Sequence, residues 1–312
     1  MDFSASGRAA HRASRRRARL LLFGAGLLFG LSAVLARLAS VGGMDGGQVT
    51  FVRFGVGILA VVSVFTLRPG TFRPVNRPLL VTRGLFGGFA ALLYFLAIAL
   101  IPAGEATLIN NTFPIWAVVI SLFVLGERPT FHLALGLAIA VAGVFLVLGG
   151  GTTRFQLGWG QGLAVLSAMA GGVAVTSIRA LRATDNAPTI FLAFALGGFA
   201  VSTPYALHHW PAGPATWAAA GGVGVVAFLA QLFMTEAYGA LSVAEAALWQ
   251  QLTPIAAFGW SLLIGERLTG TTVVGVVLGV AGIVYGSVLG HRPRDVASPR
   301  AGMAAGIPAE EP

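Results

Sequence analysis

The sequence contains the same pattern twice, and this internal repeat restricts the fold more than any other feature. Residues 93–147 align with residues 232–286, and the aligned positions keep the same residue types. The matched residues include Glu105 and Glu245, Pro114 and Pro254, Ser121 and Ser261, and the triplets at 126–128 and 265–267, which both read Gly-Glu-Arg. An almost entirely apolar chain that is duplicated in this way is typical of membrane transporters built from internal repeats.

The composition excludes a water-soluble fold. Hydrophobic residues make up 56% of the chain and charged residues only 10%, whereas about a quarter of the residues in a soluble domain are charged. The net charge of +9 does not indicate nucleic-acid binding, because the arginines flank apolar runs and anchor membrane helices there. The chain has no cysteine, its histidines lack metal-ligand spacing, and it has no phosphate-binding Gly-Lys-Ser/Thr loop. We therefore predict no metal, no cofactor and no catalytic residue.

The apolar runs predict an all-α membrane protein with ten transmembrane helices, because a helix needs ~20 apolar residues to cross the bilayer core. The runs cover residues 20–38, 48–67, 79–100, 103–125, 131–150, 159–180, 188–207, 215–238, 242–264 and 271–289. They form two five-helix repeats, at residues 20–150 and 151–289. The segments at residues 1–19 and 290–312 are predicted to be disordered cytoplasmic tails.

The arginines predict the orientation. With the N-terminus in the cytoplasm, sixteen of the twenty arginines lie on the cytoplasmic side, as the positive-inside rule requires. Arg83 is counted in a cytoplasmic loop at residues 68–83. Because five helices per repeat is an odd number, the second repeat enters the membrane in the opposite direction. We therefore predict inverted repeats in the inner membrane, both termini in the cytoplasm, and a substrate site near the midplane.

Short motifs recur in the same order in the two halves. Residues 103–144 contain Ala-Gly-Glu-Ala, Pro-Ile-Trp, Leu-Gly-Glu-Arg and Ala-Gly-Val, and residues 244–283 contain Ala-Glu-Ala-Ala, Pro-Ile, Ile-Gly-Glu-Arg and Ala-Gly-Ile. This duplicated set resembles the EamA-type half-domain of the drug/metabolite transporter superfamily, over roughly residues 20–289. The resemblance implies a ten-helix carrier with a central cavity, of a family whose members export amino acids or other small metabolites.

The two prolines at mid-membrane predict a polar lining. Pro114 and Pro254 lie near the middle of the fourth and ninth spans, and a proline cannot bond to the carbonyl four residues earlier. Each freed carbonyl belongs to an amide-bearing residue, and a second amide follows it. The four amides are Asn110, Asn111, Gln250 and Gln251. We favour a cavity lining that binds the solute, and the alternative is hydrogen bonding between helices.

Four further side chains are candidates for the site. Tyr94 and Trp249 lie on spans with other polar residues and could stack on a ligand, although packed or lipid-facing aromatics are an equal alternative. The repeat does not duplicate Arg53 or Gln231, which align with alanines. Arg53 is predicted to bind a carboxylate, or else to be an anchor that is ion-paired with Asp45 or Glu105.

Three acidic residues need a separate interpretation. Glu236 aligns with a leucine and is the candidate for coupling transport to protons, with a plain arginine partner as the alternative. Glu105 and Glu245 stand in the first turn of a helix, where a carboxylate satisfies free backbone amides. For these two we predict a capping role.

These features together predict a secondary carrier that works by alternating access, most simply an exporter of amino acids or similar small metabolites. Its partners are a small-molecule substrate and the lipid bilayer, without nucleic acid, and the carrier is a monomer or a homodimer. An importer of a cofactor-like metabolite is the first alternative. A membrane-embedded enzyme is a weaker one, because no nucleophile, acid/base pair or metal site converges at midplane depth.

Overall fold

The structure, a computed structural model, describes residues 3–101, 103–148, 158–211, 213–265 and 269–290. Within these ranges it consists of helices, without any β-strand. The α-helices are α1 (Phe3–Val41), α2 (Gly46–Leu67), α3 (Arg77–Leu100), α4 (Ala103–Asn110), α5 (Phe113–Val124), α6 (Phe131–Val147), α7 (Trp159–Leu181), α8 (Ala187–Ser202), α9 (Pro214–Ala237), α10 (Val243–Gln250), α11 (Leu252–Ser261) and α12 (Gly270–Leu289). Short 3₁₀ turns follow α8 and α11, at Thr203–Leu207 and Leu262–Ile264.

The described helices include seven that are long and apolar enough to cross a membrane. One of these spans, Glu105–Val124, combines α4 and α5, and α6 is apolar but shorter. Large apolar side chains such as Leu59, Leu85 and Val277 are exposed on the helices, and lipid gives such side chains an apolar environment. The protein is therefore an integral membrane protein with several spans, and the number of ten stays a prediction.

The first helix begins much earlier than the sequence indicates. α1 starts at Phe3, so the prediction of a disordered tail over residues 1–19 is wrong from residue 3 onwards. Arg15 and Arg19 donate hydrogen bonds to Glu245 at the start of α10, and these contacts hold the fourth and fifth turns of α1 against the second half of the chain. The predicted tail at 290–312 lies outside the described residues after Gly290.

The two predicted proline sites interrupt their helices. Asn111 and Thr112 separate α4 from α5, and Gln251 alone separates α10 from α11. At the first break Pro114 takes one of the first two positions of the new helix, where a missing N–H breaks no intrahelical bond. Each break therefore leaves polar backbone and an amide side chain inside the bundle, which is tolerated only next to protein or a water-filled cavity.

Helix packing follows the repeat. α1 packs against α9 and α11, and the equivalent helix α7 packs against α3 and α5. α2 packs against its equivalent α8, and α6 against its equivalent α12. These matched pairs are those expected when two copies of one five-span unit face each other.

Glycines allow α6 and α12 to approach closely. A Cβ atom at Gly136 would lie 2.7 Å from the Cα of Gly286, and one at Gly282 would lie 2.5 Å from the backbone nitrogen of Ala140. Separations of this size leave no room for a side chain. Gly282 and Gly286 of α12 therefore form a contact within one molecule, between its two halves.

The two ends of the helix bundle are named after the two ends of α1. The side where α1 begins, here the N-terminal side, also holds the end of α12, because Arg19 donates to the carbonyl of Ser287 at 3.1 Å. The side where α1 ends, here the opposite side, holds the start of α9, because Thr216 donates to the carbonyl of Gly42 at 3.3 Å. These names assign neither side to a cell compartment.

Candidate substrate cavity

A cavity of about 570 Å³ lies between the two halves and is lined by both helix breaks. It extends from Ser40 and Gly46, at the opposite side, to Met234 and Gln250 deeper in the bundle. Toward the N-terminal side it ends at a buried cluster that includes Tyr238, which is fully buried. The cavity therefore reaches exposed residues at the opposite side, whereas buried side chains separate it from the N-terminal side.

The four predicted amides all line this cavity. Asn110 accepts a hydrogen bond from the hydroxyl of Ser167 on α7, with 2.9 Å between the oxygens. Gln250 donates from its amide nitrogen to the hydroxyl of Tyr238. The amide nitrogen of Asn111 donates to the carbonyl of Thr107 at 2.9 Å. These amides therefore border the cavity, and Asn110 also bridges two helices, while their binding of a solute stays a prediction.

The fourth amide, Gln251, differs from the other three. It lines the cavity and is only 2% exposed. Within the described ranges its side chain forms no hydrogen bond, so both its donor and its acceptor groups remain available. These groups face the cavity, where water or a bound solute can satisfy them.

The other predicted residues divide into two groups. Tyr94 and Gln231 line the cavity, and the hydroxyl of Tyr94 lies 2.6 Å from that of Thr107. Trp249 is not among the cavity residues, because its ring packs between two buried apolar clusters. Glu236 also lies elsewhere, and its carboxylate accepts a hydrogen bond from Arg182 at 3.0 Å. The structure therefore brings Tyr94 and Gln231 to the amides and separates Trp249 and Glu236 from them.

Two arginines face the cavity, and the sequence interpretation identified only one. Arg53 lines it as predicted, and Arg83, assigned to a cytoplasmic loop, also lines it from the second turn of α3. Arg83 is 3% exposed. Two signals were available in the sequence, because Arg83 falls inside the apolar run 79–100 and aligns with Val223 in the second half. A charge within a membrane span is a functional candidate by default.

Neither acidic partner suggested for Arg53 is bound to it. Asp45 accepts from the backbone of Gln48 at 2.8 Å and contacts the ring of His208 at 2.7 Å. Glu105 accepts from the amide of Gln161 at 2.8 Å. The proposed anchoring of Arg53 by either carboxylate is therefore absent from the part of the chain that the structure describes.

Ion pairs hold the N-terminal side closed. Glu245, 1% exposed, receives both Arg15 and Arg19. Glu127 accepts from Arg179 at 3.0 Å and from the backbone of Val243 at 2.7 Å. These carboxylates tie the start of α1, the end of α7 and the start of α10 together.

The capping prediction holds for Glu245 only in part. The hydroxyl of Ser242 accepts from the backbone nitrogen of Glu245 at 3.3 Å, as a helix N-cap does. The carboxylate of Glu245, however, binds the two arginines of α1, because charged donors are stronger partners than a backbone amide. At Glu105 the residue in the equivalent cap position, three residues earlier, is Pro102, which lies outside the described residues.

A multi-span helical membrane protein with a polar cavity at two paired helix breaks has the architecture of a carrier. The chain belongs to the EamA-like transporter family, whose model matches residues 16–149 and 158–287. It is 26% identical over 263 residues to the pseudopaline exporter CntI from two strains of Pseudomonas aeruginosa, covering 83% of this chain and 92% of the relative. A crystal structure of a 22% identical protein shares the fold, with a TM-score of 0.75 over 89% of this chain and 99% of that chain.

These relationships distinguish a transporter from an enzyme. The family and its exporting relatives indicate a transporter rather than an enzyme. They also support a small metabolite as the transported solute, without specifying amino acids.

Proposed function

We propose that this protein is a secondary carrier that exports a small metabolite, an amino acid or a related compound, across the inner membrane by alternating access. The observation that carries the proposal is the cavity at the two helix breaks, accessible from one side and closed by ion pairs at the other. The names of the curated relatives favour export over the import of a cofactor-like metabolite.

The proposed topology has ten spans in two inverted repeats, with both termini and the N-terminal side in the cytoplasm. The arginine distribution supports this orientation, and the matched helix pairs support the repeat. In this arrangement the described state is open to the periplasm. Its counterpart, open to the cytoplasm, forms when the ion pairs of the N-terminal side separate and the opposite side closes.

The solute meets neutral amides and two arginines in the cavity. Asn110 and Gln250 each stand at a helix break, so a solute that binds both connects the two halves. Binding energy gained in this way can favour the exchange between the two access states only if one state binds the solute better. The breaks also supply the flexible points at which each half-helix can turn.

The absence of cysteine from the chain allows a direct test of alternating access. Thr50→Cys places a thiol in the cavity near its opening, and Ala246→Cys places one in the closed cluster of the N-terminal side. In whole cells a membrane-impermeant maleimide should label Thr50→Cys and not Ala246→Cys. Adding Glu245→Gln should protect the first thiol and expose the second to reagent in inside-out vesicles.

The control is Thr203→Cys, on an exposed turn of the opposite side, whose labelling in whole cells should be equal in both backgrounds. Simultaneous labelling of both test thiols would indicate a channel instead. The direction is tested by mass spectrometry of the growth medium. Cells that express the protein should accumulate a metabolite outside, whereas depletion of a medium component would favour the importer.

A further inference from the structure

Arg53 and Arg83 are two cations without an anion. Among the described residues, neither guanidinium forms an ion pair or a hydrogen bond, and the Nε of Arg83 is fully buried without a partner. Both side chains line the same cavity. Arg83 is 3% exposed and Arg53 is partly buried, so only water in the cavity compensates their charges, and a negatively charged solute is the partner that the protein itself does not supply.

Two phenylalanine rings position the arginines. The guanidinium carbon of Arg83 lies 4.0 Å from the ring centre of Phe194, and that of Arg53 lies 5.5 Å from the ring centre of Phe54. The two rings pack edge to face with their centres 5.0 Å apart. A guanidinium held over an aromatic face keeps its in-plane N–H groups available. Both guanidinium groups are therefore held in an orientation that can donate hydrogen bonds to an oxyanion.

The remaining lining is neutral. No aspartate, glutamate or lysine contributes to the cavity in the described residues, and its other polar groups are amides and hydroxyls. The two positive charges are thus not compensated inside the cavity. A zwitterionic solute with one carboxylate would leave a net positive charge, whereas two negative charges would neutralise the cavity.

Both arginines belong to the first half only, because alanine and valine occupy their positions in the second copy. A packing role shared by the two halves would favour similar residues in both. Unique charges instead would place the negative end of a solute at α2 and α3, and Gln250 and Gln251, at the break between α10 and α11, would receive its neutral groups.

We propose that the cavity selects a dianionic small molecule, with its oxyanion groups on Arg53 and Arg83. This inference rests on the proposed carrier function and narrows its small-metabolite solute to a dianion, in place of an amino acid with a single carboxylate. Two carboxylates on one short chain and a single phosphate share this chemistry.

The test uses the full chain, purified in detergent, and three probes of nearly the same shape. Glutarate carries two negative charges, its half-amide glutaramate one, and the diamide glutaramide none, and inorganic phosphate is the fourth probe. Binding is measured by calorimetry and by the shift in thermal unfolding. We expect glutarate to bind about tenfold more tightly than glutaramate, since one charge-assisted bond is worth roughly that factor, and glutaramide not to bind. The affinity for glutarate should fall with added salt.

Arg53→Gln and Arg83→Gln should each reduce glutarate affinity about tenfold, and Arg68→Gln, an exposed control, should leave it unchanged. Without ligand, Arg83→Gln should unfold at the same or a higher temperature, because it removes an unpaired buried charge. If that variant fails to fold, Arg83→Lys, which keeps the charge but loses the fork, should still bind glutarate more weakly than the unchanged protein.

Equal binding of glutarate and glutaramide, or no binding of glutarate and phosphate, would overturn the proposal. Binding of phosphate without glutarate would support a dianion in which one group meets both arginines. The cysteine-labelling test does not depend on these probes. If the access change is observed and charge selection is not, the carrier function stands and only the substrate class is wrong.

Discussion

Glu105 and Glu245 occupy the same position in the two copies of the repeat, but different partners hold them. Glu245 closes the N-terminal side with two arginines of α1, whereas Glu105 at the opposite side receives one neutral amide, that of Gln161. A guanidinium adds the attraction of opposite charges to the hydrogen bond that it donates to a carboxylate, which a neutral amide does not. The duplicated carboxylate therefore becomes a strong contact on one side and a weak one on the other.

In the proposed alternating-access cycle, this difference accounts for the closed N-terminal side. Repeats with identical contacts would give two access states of equal energy. Here the partners of the glutamates differ, so the proposed state in which the N-terminal side is closed gains the two additional ionic contacts. The asymmetry lies in the residues that contact the repeat motif, since the motif itself is the same in both halves.

The largest expected effect comes from Glu245→Gln. It leaves Arg15 and Arg19 without their anion, and breaking a buried pair costs about 3–5 kcal/mol. We expect about 2 kcal/mol here, because both arginines are about a quarter exposed and solvent screens them. Thermal unfolding in detergent measures the loss. The matched control, Glu105→Gln, should lose about 1 kcal/mol, and equal losses would contradict the proposed asymmetry.

Gln161→Arg would give Glu105 the kind of partner that Glu245 has. This change gives Glu105 a cationic partner and should strengthen the contact at the opposite side by about 1 kcal/mol. A shift of this size changes the ratio of the two access states about fivefold. Maleimide labelling of Thr50→Cys should then become slower. Gln161→Leu, which removes the hydrogen bond, should not slow the labelling, and if it does, the new charge is not the cause.

The two helix breaks are compared by Asn110→Ala and Gln250→Ala. Each substitution removes about one hydrogen bond of about 1 kcal/mol, and water in the cavity can compensate for it. We expect expression and thermal unfolding to stay nearly unchanged while export per molecule falls. If either variant fails to fold but transports normally per molecule, that amide only joins helices, and the two breaks have different roles.

The smallest effect is expected for Glu236→Gln. Glu236 is 43% exposed and pairs with Arg182, and a partly exposed ion pair contributes less than about 1 kcal/mol. We expect the transport rate to keep its dependence on pH, measured in vesicles at mildly acidic and mildly alkaline values. Arg182→Gln serves as the control for loss of the pair. A flattened pH profile in Glu236→Gln alone would restore this residue as the coupling group.

The predictions that hold concern local chemistry. Pro114 and Pro254 interrupt their helices because a proline lacks the N–H that the helix needs, whatever surrounds it. The amides beside them line the cavity because polar groups at that depth have few other places to lie. The same argument extends to Arg83, which its position inside an apolar run could have identified.

The predictions that fail concern where a side chain points and which residues distant in sequence it contacts. Trp249 neighbours an amide in sequence, but its ring turns into the packed interior rather than the cavity. The first nineteen residues look polar and unstructured, although Arg15 and Arg19 find a partner in Glu245 more than two hundred residues later. Neither result follows from local pattern, because a helix presents each side chain to whichever neighbour the bundle places there.

The sequence alone determined that this protein is a duplicated helical membrane transporter with prolines and amides near the middle of two spans. Hydropathy, proline chemistry and the repeat are properties of neighbouring residues, so they can be recognised without a structure. Only the tertiary structure decided that Arg53 and Arg83 share one cavity, and that Glu245 rather than Glu105 is paired with arginines. Those contacts join residues that are distant in sequence, and the packing of the two halves brings them together.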